Sequence, residues 1–333
     1  MKKIIYPLSL LGLLLSSCTI RFVPNTSEET ESKSPEASLS ESEISLIDSS
    51  FSLEEGSEES ASSDEESELS SEEASVDDYA PADYHLAWSD EFDGDSLDLS
   101  TWGFDLGSQN GGWGNREAEY YTDHNHSVKD GLLKIEAKRE HTTVDEREFD
   151  YTSSRLVTKG KKAFTYGYMC ARISLPAVEG LWPAFWMLPE TGYGNEGTTW
   201  WPTSGEIDIM EARGRLPTIH SSALHFASDG TGGSHTYVSR EHTVDSIEDF
   251  HVYAVLWEET SMRWYIDGEE FFSTNANVWN RGYGTGDGAP FNKDFHFLIN
   301  LAIGGNFDSG LLPPEEWDSS FMKIDYLRVY QAN

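Results

Sequence analysis

Basic residues are scarce in this chain: 23 lysines and arginines stand against 59 acids, for a formal net charge of -36 over 333 residues. That balance argues against nucleic acid as a partner, because phosphates require clustered Lys and Arg. The only small basic cluster, residues 159–162, is what a polar hairpin turn provides. Cysteine is scarcer still, at two residues, and Cys18 stands in the N-terminal segment Leu15-Ser16-Ser17-Cys18. Cys170 therefore has no partner for an intramolecular disulfide, and a lone Cys in a strand-like run is a small buried hydrophobe. The folded part must stand on its core, for which about 250 residues suffice. Long apolar runs are missing too: residues 4–15 are too short for a comfortable transmembrane span. There is no internal repeat of solenoid or propeller period. His124 and His126 have no recognised metal-ligand spacing, and Gly304-Gly305 is not followed by the Gly-Lys-Ser/Thr of a phosphate loop.

What is present divides the chain in three. Met1-Lys2-Lys3, the apolar run and Leu15-Ser16-Ser17-Cys18 resemble a bacterial lipoprotein signal. Cleavage after residue 17 would leave Cys18 to carry lipid, which implies an extracytoplasmic protein anchored to a bacterial membrane at the cell surface. Residues 18–80 are dominated by Ser and Glu with almost no aromatics, and carry about half of the net charge. Such a segment cannot bury enough apolar surface to offset its chain entropy, so it reads as a disordered, self-repelling tether. Residues 81–333 are the folded domain.

Within that domain, short aromatic and β-branched runs are separated by Gly, Asp and Asn, as at residues 132–137, 251–257, 262–266 and 322–330. Alternating runs with turn signals and no long helical pattern predict an all-β sandwich or barrel. Asp267-Gly268 is a strong hairpin signal. Trp257 and Trp264, inside alternating strands, read as core.

One strand differs from the rest. Glu206-Ile207-Asp208-Ile209-Met210-Glu211 places three carboxylates in an apolar run. Side chains alternate with a period of two, so Glu206 and Asp208 share a face opposite Ile207 and Ile209. Glu211, five positions after Glu206, falls on the wrong face unless one extra residue, assigned to Met210, forms a β-bulge. Four effective steps then separate the two Glu Cα atoms by roughly 13 Å. Side chains leaning across a concave strand can close that gap toward the about 5 to 5.5 Å between the carboxyls of a retaining glycosidase. From the residues alone, the readings are a glycosidase pair, a solvated acidic face or a calcium site.

This triad, with Trp200-Trp201-Pro202 and Gly180-Leu181-Trp182-Pro183-Ala184-Phe185-Trp186 before it, resembles glycoside hydrolase family 16, in its laminarinase-like branch. Glu91-Phe92-Asp93-Gly94, Gly112-Trp113-Gly114-Asn115, Ser154-Arg155-Leu156 and Asn300-Leu301-Ala302-Ile303-Gly304-Gly305 extend the resemblance in family order over residues 84–331. It implies a concanavalin A-like jelly roll with a concave cleft and retaining endo-hydrolysis of 1,3-β-glucosidic bonds in laminarin-like glucans. Glu206 would be nucleophile, Glu211 acid and base, and Asp208 their auxiliary. Asn115, Arg155, Trp182, Trp186, Trp201, His225 and Asn300 would bind substrate. Glu91, Gly131 and Asp325 would hold a structural calcium ion, with no cofactor for catalysis, and the protein would be a monomer. Mixed-linkage glucan, agar- or carrageenan-type galactans and a non-catalytic glucan-binding module are the alternatives.

Overall fold

The computed structural model describes residues 79–191, 200–229, 234–282 and 288–333. The expected signal segment, Cys18 and all of the expected tether except Tyr79 and Ala80 lie outside these residues. The described residues form two sheets of ten and eight strands, antiparallel except for the short pairing of Tyr120–Tyr121 with residues 152–153. This is the expected jelly-roll sandwich.

The outer sheet contains Leu132–Val144, Gly167–Ser174, His251–Trp257, Ser261–Ile266 and Ser319–Ala332. Burial alternates along Leu132–Val144 and Ser261–Ile266, where one face meets the core, whereas Gly167–Ser174 and His251–Trp257 are buried at nearly every position because a second cluster, including Tyr168, Val252 and Tyr330, covers their other face. Asp267 (φ 48) and Gly268 (φ 81) make the predicted tight turn into Glu269–Asn275, both in the left-handed region that primed hairpin turns require. Cys170 is buried and takes part in no disulfide among the described residues.

The inner sheet runs His235–Thr243, Ile219–Ala227, Glu206–Ala212, Leu181–Pro189, Phe295–Ile303, Arg155–Val157, Gly103–Phe104. Phe295–Ile303 is buried at all nine positions, since one face enters the core and the other is covered within the cleft. Phe185, Met187, Ile207, Ile209, Met210, Phe297, Ile299 and Leu301 from this sheet join Leu133, Ile135, Met169, Ile173, Val255, Trp257 and Trp264 in one hydrophobic core. Trp264 is fully buried and stacks on Phe272 at 4.6 Å. Truncating such an aromatic to Ala costs about 3–5 kcal/mol, so this layer fixes the inner sheet rigidly.

The predicted bulge is present. Asp208 pairs with Ala223 and Glu211 with Ser221, so Ile209 and Met210 together oppose Ser222. Against Leu181–Pro189, Met210 retains its partner Phe185 and Ile209 is the residue skipped. The extra residue is thus shared between Ile209 and Met210 rather than belonging to Met210 alone, and both enter the core. The ladder disruption leaves carbonyls that need donors. Ser222 Oγ donates to the Ile209 carbonyl at 2.7 Å, and Trp264 Nε1 donates to the Asp208 carbonyl at 3.0 Å.

Candidate active site

The bulge returns Glu211 to the face of Glu206 and Asp208, and all three line one cleft of about 640 Å³, within the usual size of a ligand site. Strand pairing decides their neighbours. Glu206 lies opposite His225, Asp208 opposite Ala223, and Glu211 between Ser221 and Ala184. The two alanines leave the floor beside the acids free of bulk.

Each glutamate is held by an indole. Trp201 Nε1 donates to Glu206 Oε2 at 3.1 Å, and Trp182 Nε1 donates to Glu211 Oε1 at 3.0 Å. His225 Nε2 lies 3.1 Å from Asp208 Oδ2 and 3.9 Å from Glu206 Oε1. Burial, with Asp208 adding its charge, pushes Glu206 and Glu211 up to about 8, and His225 opposes this in both. Burial alone pushes Asp208 up to about 8. The cluster therefore retains protons at neutral pH, as general-acid chemistry requires.

All seven residues predicted to bind substrate line the cleft: Asn115, Arg155, Trp182, Trp186, Trp201, His225 and Asn300. Arg155 is buried between the rings of Trp113 (4.5 Å) and Trp186 (4.8 Å) and paired with Asp105 at 3.1 Å. Trp186 Nε1 donates to Asn300 Oδ1 (2.7 Å), Asn300 Nδ2 to the Tyr121 hydroxyl (3.1 Å), and that hydroxyl to Glu117 Oε2 (2.9 Å). Asn115 Nδ2 donates to Glu117 Oε1 at 3.0 Å. Trp182 stacks on Phe307 at 5.0 Å and packs over Gly305 (φ 81), where a Cβ would come within 2.9 Å of its ring. Trp257 and Trp264 are core, as expected.

The calcium expectation fares differently. Both Glu91 carboxylate oxygens accept hydrogen bonds from Arg328, at 2.8 and 2.6 Å, and Asp325 Oδ2 accepts from Arg172 Nη1 at 2.6 Å. Gly131 (φ 71) occupies the turn between His126–Lys129 and Leu132–Val144. Two guanidinium groups already supply the positive charge that a cation would bring, so these side chains do not fit a calcium centre. Among the described residues, the group of His, Cys, Asp and Glu close enough to share an ion is Glu206, Asp208 and His225.

Compared with known proteins, residues 84–332 match the family model described as "Beta-porphyranase A-D, GH16 domain". The chain belongs to glycoside hydrolase family 16. Among family relatives, it is 38% identical over 272 residues to "Glucan endo-1,3-beta-glucosidase A1" of Niallia circulans, covering 76% of this chain and 39% of that protein. It is also 38% identical over 259 residues to "Beta-glucanase" of Rhodothermus marinus, covering 74% of this chain and 85% of that protein. The laminarinase catalytic domain of Thermotoga maritima MSB8 superposes with a TM-score of 0.66 at 36% identity, covering 75% of this chain and 99% of that one.

Within this family 16 cleft, the supports were not found from sequence. Glu117, Glu119 and Tyr121 form a buried polar layer beneath Asn115 and Asn300; Glu119 is fully buried, and its Oε2 accepts from the Ile303 N–H at 2.7 Å. Its Oε1 has no hydrogen-bond acceptor or donor other than what Glu117 offers. Burial, then the Glu117 charge, pushes Glu119 well above the usual carboxylate range. His235, Tyr237 and Phe307 also line the cleft unpredicted. The even spacing of residues 115, 117, 119 and 121 was the available signal, but it does not distinguish a surface strand from a buried one.

Proposed function

We propose that this chain is a retaining endo-1,3-β-glucanase acting on laminarin-like polysaccharide. The observation that carries the reading is the bulge, which sets Glu206, Asp208 and Glu211 side by side on an open cleft floor, each Glu gripped by a separate indole. Glu206 attacks the anomeric carbon and the glycosidic oxygen leaves with the proton of Glu211, giving a glycosyl-enzyme. The Trp201 hydrogen bond and His225 favour the charged form of Glu206. Esterification of Glu206 removes a negative charge near Glu211, whose pKa then falls. Glu211 next takes a proton from water as water attacks the intermediate, and the configuration is retained. Asp208 tunes the charge of both neighbours. The indoles of Trp182, Trp186 and Trp201 offer flat apolar surface to sugar C–H faces.

A galactan reading has one observation in its favour, the description of the matching family model. A sulfated chain would need free cations. Arg155 is buried against Asp105, and Arg213 on the cleft wall is paired with Glu241, so a neutral glucan suits this cleft better. Chromatography and mass analysis of products from laminarin, lichenan, agarose and carrageenan, with NMR of the first anomer released, test the reading. Short β-anomeric oligosaccharides from laminarin are expected. Release from agarose or carrageenan alone would overturn it, and laminarin bound without release of reducing ends would leave a binding module.

We further propose that Cys18 carries the lipid, that residues 18–80 tether the domain away from the membrane, and that it works there as a monomer. Globomycin-sensitive processing and metabolic labelling with a fatty acid, both lost in Cys18→Ala, are the expected outcome.

A further inference from the structure

Asp208 Oδ2 is buried and accepts no hydrogen bond. His225 Nε2 lies 3.1 Å from it without hydrogen-bond geometry, and Glu206 Oε1 is 3.9 Å from the same nitrogen. One ligand atom from each of the three residues fits within a 4.8 Å group. Around a tetrahedral ion with bonds of about 2.0–2.2 Å, neighbouring donors stand roughly 3.3–3.5 Å apart. The two spacings to His225 bracket that edge, and the shorter one lacks the geometry of a hydrogen bond.

We propose that Glu206, Asp208 and His225 bind a divalent transition-metal ion of the zinc class, which occupies the cleft in competition with polysaccharide. The rest of the site is arranged for it. Trp201 takes Glu206 Oε2 and leaves Oε1 free. His225 Nδ1 lies 2.8 Å from His235 Nε2, so with the lone pair of Nε2 on the metal, Nδ1 carries hydrogen and donates to His235. A ligating histidine held by such an outer partner is the usual arrangement. The His225 ring is further fixed by near-parallel packing on His235 (8°) and by Tyr237 at 5.4 Å. Two carboxylates and a neutral imidazole balance a double positive charge, and the fourth position opens on the cleft, where water completes the shell. An imidazole ligand disfavours calcium and magnesium, whose ligands are oxygens. The ion would sit on the proposed nucleophile, so its effect on turnover rests on the catalytic reading, whereas its binding does not.

The test is titration of the full chain with Co²⁺, followed by visible absorption, then displacement by Zn²⁺ followed by calorimetry. A tetrahedral cobalt band lost on adding one equivalent of Zn²⁺ is expected, with no response to Mg²⁺ or Ca²⁺. His225→Ala should abolish the band, while any weak binding by the tether's acids stays. His235→Phe, which keeps the ring packing but not the hydrogen bond, should weaken zinc roughly tenfold. Laminarin oligosaccharide should lower the apparent zinc affinity, and Zn²⁺ should raise KM with kcat unchanged. Circular dichroism checks that each variant is folded, and Asp208→Asn serves if His225→Ala is not. An unchanged band in a folded His225 or Asp208 variant, or no zinc binding at millimolar concentration, would overturn the proposal. A band in a chain that cleaves no glucan would uphold the site and overturn only the catalytic reading.

Discussion

Glu119→Gln should stabilise the protein by an amount that grows with pH. The side chain is fully buried, with one oxygen on the Ile303 N–H and the other beside Glu117. Glutamine is nearly isosteric: its carbonyl keeps the Ile303 bond, and its amide donates to Glu117 at every pH. The wild-type acid must stay protonated to do the same. Its folded pKa is raised well above 4.5, so its stabilising contribution is fully present below the unfolded value and is lost as pH rises toward and through the folded one. Once the unfolded chain is ionised, each pH unit below the folded pKa costs the wild type about 1.4 kcal/mol relative to glutamine. For a domain of this size that is roughly 3–6 °C in Tm per unit. Glu206, Asp208 and Glu211 are present in both proteins, so their own pH dependence cancels in the difference to the extent that the sites are independent. Calorimetric melts of both proteins at half-unit steps from pH 4 to 7 check this: equal at the acid end, diverging above about pH 5. A difference constant with pH would refute the neutral-acid argument. Glu119→Leu should lose stability throughout, because it strands the Ile303 N–H at a cost of about 1–3 kcal/mol.

Glu206→Gln and Glu211→Gln should each lower kcat by several orders of magnitude with folding intact. Azide should rescue Glu206→Ala with an inverted product and Glu211→Ala with a retained one, and swapped outcomes would exchange the roles. Glu211, held near 8, must be protonated to act, so kcat/KM should fall as pH rises through about 8. Asp208→Asn removes a charge that raises both glutamates and should move that alkaline limb to lower pH; an upward shift would count against its tuning role. Added Ca²⁺ should leave Tm unchanged, because Arg328 and Arg172 occupy the carboxylates of Glu91 and Asp325; a clear rise in Tm with Ca²⁺ would restore a calcium site.

Much of this fold is legible because its signals are local. Leu132–Val144 and Ser261–Ile266 alternate in burial as in polarity, and Asp267-Gly268 takes the backbone that its side chains favour. The acids of the site are legible for the same reason: an odd spacing between Glu206 and Glu211 within one strand demands a bulge. What lies under them is not. Tyr121 meets Asn300, and Glu119 meets Ile303, from about 180 residues away, and nothing in their own segment states that they and Glu117 are buried. The arginines at the residues expected to hold calcium were hidden on the same ground, since Arg172 and Arg328 meet Asp325 and Glu91 only through strand pairing. Asp325 itself sits at a register shift between Ile324 and Tyr326, which no residue pattern near it announces.

The bulge also shows why such a site costs the core so little. In a regular strand Glu211 would point into the apolar layer, where an unpaired carboxylate is heavily penalised. Adding a residue turns it into the cleft, yet the added bulk must go somewhere and the interrupted ladder leaves carbonyls open. Ile209 and Met210 both go inward, filling the layer beside Trp264. Ser222, the single residue facing them, bonds the Ile209 carbonyl, while Trp264 bonds that of Asp208. The indole that fills the core therefore also holds the backbone of the central acid. Trp264→Phe would keep most of the packing and lose that bond, so its effect should fall on the geometry of Asp208, and through it on the pKa of Glu211, more than on the fold.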